Sequence, residues 1–299
     1  MLKYIGKKVL IAIATVFVLA TATFFLMKLI PGDPFLNDKI PVAVQDKQRA
    51  FYGLDKPVPQ QYLTYMNNLL HGDLGYSIKK TGKTVVDIIK EAFPVSAKLG
   101  LISLLFAEAV GLFFGILCAQ FRGKWPDYLL MVVAVPSMVL GPILRMIFGV
   151  KLGILPVTGW GKPNQIILPA LVLGLGTVAG NTRNMRASML AITTQDYVKT
   201  ARAKGLSPIR VVLKHQFKNS LVPIIPNLGV QIAGVLMGSF VVESMFLIPG
   251  LGRYFVDSVT NLDYPLIMGL TVFYGAFLVT MNLIVDVLYG LIDPRIRVK

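Results

Sequence analysis

The chain has 299 residues, 55% hydrophobic and 15% charged, with a net charge of +15 and a mean hydropathy of +0.66. Soluble globular domains carry about 25% charged residues, so the composition excludes that class and points to an all-α integral membrane protein. Its cations are divided among loops by the membrane, so no nucleic-acid partner is expected, and the single cysteine, Cys118, excludes an intramolecular disulfide.

Six apolar stretches, near 9–30, 97–121, 127–150, 164–187, 222–247 and 265–291, reach the roughly 20 residues that cross a bilayer core. The first follows Lys3, Lys7 and Lys8. It is long enough to span and has no small-x-small cleavage site, so it reads as a retained transmembrane helix. Residues 31–94 mix both signs of charge with turn residues and read as a small extracytoplasmic lobe between helices 1 and 2. Pro169, Gly174, Gly176 and Gly180 interrupt the fourth stretch. Pro136, Pro142, Pro223 and Pro226 lie in or near other helices, where neighbours must satisfy the freed carbonyls. The pairs Gly111/Gly115, Gly176/Gly180 and Gly234/Gly238 read as sites of close helix packing.

Basic residues collect on one side. They are Lys3, Lys7 and Lys8; Arg122 and Lys124; Arg183, Arg186 and the long connection after the fourth stretch; and Arg295, Arg297 and Lys299. The connection after the fifth stretch has Arg253 against Glu243, Asp257 and Asp263. The positive-inside rule then makes both termini cytoplasmic.

The stretch Asp196 to Leu221, DYVKTARAKGLSPIRVVLKHQFKNSL, is the strongest local pattern. Lys199, Arg202, Lys204, Arg210, Lys214 and Lys218 face one acid, Asp196. Gly205 ends a short helix; Ser207 and Pro208 read as N-cap and first residue of a second. Ile209, Val212, Leu213, Gln216, Phe217 and Leu221 fall near one stripe of that second helix. Such a two-helix plug can dock into a partner's groove, lie on an anionic membrane surface, or serve only as a basic loop that sets topology.

Ionisable residues within spans are costly and functionally suspect. They are Glu108, Arg145 and Asp286. Glu108 and Arg145 are expected to pair across helices rather than line a water-filled path, and Asp286 to reach the inner interface. Gly82-Lys83-Thr84 resembles the end of a phosphate-binding loop, but Ser77 stands where that loop needs glycine. The chain is therefore not expected to hydrolyse ATP. His71 and His215 have no ligand at metal-binding spacing, so no metal site is expected.

The basic stretch resembles the "EAA" loop of ABC importer permeases, above all the dipeptide/oligopeptide branch. LIPGDP at 29–34, YGLDKPVPQQYL at 52–63, HGDLGYS at 71–77, LGILPVTGW at 152–160, RASML at 186–190, FLIPGLGRYFVDSVTNLDYPLIMG at 246–269 and VDVLYGLIDPRIR at 285–297 match in order. The resemblance implies a type I ABC importer permease fold of six transmembrane helices. It divides the chain into an N-terminal helix (1–30), the extracytoplasmic segment (31–94), a permease domain (95–291) with a coupling loop at 194–221, and a cytoplasmic tail (292–299). It implies one of two permease subunits in the bacterial cytoplasmic membrane, a second homologous permease, two cytosolic ATPases that use ATP and Mg, an extracytoplasmic substrate-binding protein and surrounding lipid, with no cofactor or catalytic residue in this chain. The ATPase-coupling residues it implies are Asp196, Tyr197, Lys199, Thr200, Ala201, Arg202, Lys204, Gly205 and Leu206. Lys199 replaces the motif's glutamate, and Phe217-Lys218 replace a common Leu-Pro. Oligopeptides or dipeptides are the implied cargo. Nickel or metal chelates of the same branch, and an ion-coupled transporter of another class, are the alternatives.

Overall fold

The apolar runs become helices in the computed structural model, which describes residues 2–35, 41–124 and 137–292. In chain order these are α1 (Leu2–Leu29), α2 (Val42–Phe51), α3 (Val58–Leu70), α4 (Val85–Gln120), α5 (Ser137–Leu144) running into a π-helical turn (Arg145–Lys151), α6 (Pro163–Thr193) and α7 (Asp196–Ala203). There follow α8, built from Pro208–Arg210, a π-helical stretch Val211–Phe217 and Lys218–Ser220, then α9 (Ile225–Leu236), α10 (Phe240–Phe246), α11 (Leu251–Thr260) and α12 (Tyr264–Ile292). Among the described residues, α1, α4, α6, the α9–α10 pair and α12 supply five spans long and apolar enough to cross a membrane. The expected span at 127–150 falls partly on residues 125–136, outside the described residues, as do Pro136 and the tail cations Arg295, Arg297 and Lys299.

α4 begins at Val85, twelve residues before the expected start, because Thr84 caps it. The Thr84 hydroxyl oxygen accepts the Asp87 N–H at 3.1 Å, and the Asp87 carboxylate accepts the Thr84 N–H at 3.2 Å. Such a reciprocal cap satisfies donors that a helix start leaves orphaned. Gly82-Lys83-Thr84 is therefore a helix start. At 1.5 Å per residue the 36 residues of α4 run to about 54 Å, well beyond the ~30 Å hydrocarbon core, so α4 projects past it.

The core steps along α4. Val85, Ile88 and Ala92 pack with Leu251, Leu266 and Leu270; Leu99 with Leu168, Val172, Val242 and Phe246; Ala119 with Met185, Met189 and Ile224. Between helices in lipid the gain comes from close packing more than from leaving water. Glycine sets that distance where α4 meets α6. A Cβ at Gly111 would lie 2.6 Å from Asn181 Cβ, and one at Gly115 would overlap Met185. Gly176, Gly180 and Gly234 differ from the expectation of close packing, since a Cβ at any of them would meet nothing within 4 Å.

The expected continuous helix 222–247 is broken. α9 ends at Met237, whose carbonyl accepts the Tyr274 hydroxyl at 2.8 Å, and Gly238 turns the chain at φ +89°. Ser239 then caps α10 through the Val242 N–H.

α1 lies against α12, with the Lys8 ammonium 2.7 Å from the Asp286 carboxylate. Its other side exposes Leu10, Ile13, Phe17, Val18 and Leu26, as a lipid-facing helix does. At the far end of α1, α2, α3 and the turns to residue 84 form a lobe. Asp263 ties it down: buried at the start of α12, its carboxylate accepts the N–H groups of Ile78 (3.0 Å) and Lys79 (3.2 Å) and the Ser77 hydroxyl. Arg49 bridges Asp33 and Asp46 within the lobe.

Candidate functional site: the basic loop and the polar groups within the membrane

α6 runs through Thr194 and Gln195 directly into α7. α7 closes at Lys204, and Gly205 takes φ +72°, with its N–H bonded to the Arg202 carbonyl at 2.9 Å. A β-carbon at that φ costs about 1–2 kcal/mol, which is why glycine stands there. Ser207 and Pro208 open α8 as the sequence indicates, though no Ser207 side-chain cap forms.

The buried face of α8 keeps Val212, Gln216 and Phe217 of the expected stripe but not Ile209 and Leu213. Val211, Gln216 and Ser220 are buried, whereas Ile209 (73% exposed) and Leu213 (59% exposed) stand out. For Leu213 the cause is the π-helical winding of Val211–Phe217, whose i→i+5 bonds bring residues five apart onto one face. Val211 joins Val198 and Ala201 in a small core beneath the loop, with Ile192 and Leu206 packed against it. Ala201, named among the coupling residues, lies inside this core, and Ala203 beside it is exposed.

Gln216, expected among the apolar stripe, is fully buried. Its Oε1 accepts from Gln120 Nε2 (3.3 Å) at the end of α4, and its Nε2 donates to Thr193 Oγ1 (3.2 Å) at the end of α6. Ser188 Oγ donates to the Ser220 carbonyl at 2.7 Å. The loop is thus bonded to the helices that carry it. Lys199, Arg202, Lys204, Arg210, Lys214 and Lys218 all point outward. Lys199 pairs with Asp196 at 2.9 Å, the Thr200 hydroxyl donates to the Asp196 carbonyl, and Asn219 donates to the Tyr197 hydroxyl at 3.1 Å. The resulting surface presents Ile209, Leu213 and Tyr197 together with six cations. Apolar side chains with a polar surround are the composition of a protein-docking surface.

Glu108 and Arg145 do not pair. Glu108 accepts from Asn181 Nδ2 at 2.8 Å, and Asn181 Oδ1 accepts from Gln231 Nε2 at 2.8 Å, so the chain joins α4, α6 and α9. Arg145 donates to the Met245 carbonyl at 2.8 Å. Asp286 pairs with Lys8 of α1. These partners are amides, a carbonyl and a residue near the N-terminus, groups that charge counting within spans does not consider.

Besides Asp263, a buried acid that sequence reasoning missed is Glu243, read like it as one of the loop acids. It is fully buried in α10. Ser96 Oγ donates to Oε1 at 2.7 Å and the Arg253 N–H to Oε2 at 3.2 Å, with the N–H groups of Gly252 and Ser239 adding bonds. The carboxylate thereby caps the start of α11, where a helix presents orphan N–H groups. The run Glu243 to Arg253, an acid ten residues before a glycine-rich helix start, is the signal that could have found it. Among the described residues no group of His, Cys, Asp and Glu could hold a metal.

Residues 111–298 match the family described as binding-protein-dependent transport system inner membrane component, and residues 1–100 match its N-terminal companion. The dipeptide transport system permease protein DppB of Bacillus subtilis is 42% identical over 303 residues, 99% of this chain and 98% of its own. The oligopeptide transport system permease proteins OppB of Haemophilus influenzae and Escherichia coli K12 are 43% and 40% identical, over 99% of this chain and 100% of theirs. Among solved structures, a chain of the MetNI methionine ABC transporter, in a study of inward-facing conformations, superposes with a TM-score of 0.53 at 16% identity, covering 69% of this chain and 96% of that one. That likeness concerns the fold, that of a type I ABC importer permease.

Proposed function

The chain belongs to the family of binding-protein-dependent transport system inner membrane components, and from that premise we propose that it is the permease subunit of an ATP-driven importer of oligopeptides or dipeptides. The observation that carries the cargo is identity of 40–43% along nearly the whole chain to proteins named as peptide permeases. ATP and Mg are used by two cytosolic ATPase partners, a second permease completes the path, an extracytoplasmic binding protein delivers the peptide, and this chain holds no cofactor. Both termini face the cytoplasm in this reading.

The basic loop is the ATPase-coupling element in this reading. Tyr197, Lys199, Thr200, Arg202 and Lys204 present the contact surface, with Ile209 and Leu213 added to it. Asp196 orients Lys199, Ala201 and Leu206 bind the plug to its own base, and Gly205 sets the angle between its helices. Coupling requires that the ATPase pair bind the loop differently in its open and closed states. Gln216 and the continuity of α6 with α7 offer a rigid route for that difference into the membrane. Within the span, Glu108, Arg145 and Asp286 act as links between helices.

The test is reconstitution of the chain with its partner subunits in lipid vesicles, with labelled peptide outside and ATP inside. ATP-dependent accumulation that needs the binding protein is the expected result. Flux that follows an ion gradient without ATP would overturn the reading.

A further inference from the structure

The helix α3, VPQQYLTYMNNLL, contains no Asp, Glu, Lys or Arg. At 3.6 residues per turn, Leu63, Met66 and Leu70 fall within about 60° of one another, with Thr64 and Asn68 on the opposite side. Leu63 is 67% exposed and Leu70 83%. Two leucines this open on one helical stripe make an apolar surface without a cover. The rest of the helix circumference has neighbours. Tyr62 and Tyr65 pack on α1, and Thr64 and Asn68 line the cavity inside the lobe.

Contacts with α1 fix both the depth of α3 and the way it faces. The apolar span of α1 runs from Gly6 to Leu29. The Tyr62 and Thr21 hydroxyls are 2.9 Å apart, and Thr21 lies about 12 Å inside Leu29 at 1.5 Å per residue. The span is about 36 Å long against a core of ~30 Å, so the Tyr62 hydroxyl reaches roughly 9 Å below the edge of the core. Gln61, one position earlier, instead accepts from the Lys28 ammonium near the outer end of α1. Tyr62 therefore points into the span and Gln61 out of it. The stripe of Leu63, Met66 and Leu70 lies on the Tyr62 side of the helix, turned inward and away from α1.

The lipid-facing side of α1 continues onto this stripe. Phe25, Leu26 and Leu29 are exposed on α1, and Phe25 stacks on Tyr62 with ring centres 5.5 Å apart. Phe24 stacks on Tyr65 at 5.6 Å. Aromatic belts mark the membrane–water boundary, and helices that lie in that boundary bury an apolar face about 5–10 Å deep. We propose that α3 is an interfacial helix, with Leu63, Met66 and Leu70 among the acyl chains of the leaflet at the lobe end and Thr64 and Asn68 toward water. The lobe is then fixed to the membrane through α3 as well as to α12 through Asp263. This assignment rests on α1 crossing the bilayer and is independent of the cargo.

The single cysteine, Cys118, is buried, so a nitroxide can be placed at one new cysteine at a time. Leu63→Cys, Leu70→Cys and Thr64→Cys change exposed side chains, which leaves the fold intact. Each is labelled in the assembled transporter in vesicles of phosphatidylethanolamine and phosphatidylglycerol. Electron paramagnetic resonance then measures collisions with oxygen, which concentrates among acyl chains, and with a nickel chelate, which stays in water. The expected ratio of oxygen to nickel collisions is several-fold higher at positions 63 and 70 than at 64. A ratio at 63 and 70 no higher than at 64 would place the stripe in water and overturn the proposal. Immobilised labels at 63 and 70 that neither reagent reaches would also overturn it, because a protein subunit would then be the cover.

Discussion

The two ends of the molecule treat their polar groups in opposite ways. At the lobe end, Glu243 and Asp263 are buried, and each is met by backbone N–H groups and a serine hydroxyl. At the other end, the loop from Asp196 to Ser220 buries Val198, Ala201, Val211 and Gln216 as a base and turns Ile209, Leu213 and six cations outward. The first arrangement spends its hydrogen bonds on holding its own fold in one shape. The second is a rigid base under a surface that has yet to meet its complement.

The largest effect should come from breaking the closed end. Glu243→Ala would strand the Ser96 hydroxyl and the N–H groups at the start of α11 in a dry core. The cost should be about 3 kcal/mol or more, read as a lowered melting temperature of the purified protein; Glu243→Gln should recover part of it. A melting temperature unchanged in Glu243→Ala would remove the distinction between the two ends.

Ile209→Asp combined with Leu213→Asp should do the reverse. Exposed positions change stability within about 0.5 kcal/mol, so melting should hold while co-purification of the ATPase subunits drops about tenfold or more, as loss of anchor residues does. Retained partners would show that these side chains face something else. Gln216→Leu should fall between the two, with modest destabilisation and a lowered ratio of peptide imported to ATP hydrolysed.

Part of this contrast was legible in the chain. The helices α1 and α12, the Gly205 elbow and the Ser207-Pro208 start follow from local rules, because apolar length, a left-handed φ and a fixed proline φ are properties of single residues. The break at Met237-Gly238 was hidden inside an apolar run, since Tyr274, 37 residues further along the chain, donates to the Met237 carbonyl that the break exposes. The outward turn of Leu213 was hidden for another reason. A 3.6-residue period was applied to a stretch wound with i→i+5 bonds. Glu108 was matched with Arg145 by charge, whereas α6 brings Asn181 to it.

The smallest effect concerns the lobe in acid. Burial works against the Asp33 carboxylate, but the Phe35 N–H and the Arg49 guanidinium outweigh it and hold the group below its ordinary range. A carboxyl lowered on folding adds stability that is fully present above its unfolded pKa, near 4, and is lost as pH falls through the folded value. Proteolysis within residues 31–83 should therefore quicken below about pH 4 and do so less steeply in Asp33→Asn. A lobe equally resistant at pH 3 and pH 7 would count against this anchor.

Whether the basic loop transmits the ATPase cycle is decided by Gly205→Val. A Cβ there meets nothing within 4 Å, so the substitution acts through the φ of +72° and alters the angle between α7 and α8. The measurement is peptide taken up per ATP hydrolysed by the reconstituted complex. A coupling loop gives an assembled complex that hydrolyses ATP while its uptake per ATP falls several-fold. Uptake per ATP equal to that of the unaltered complex would contradict it.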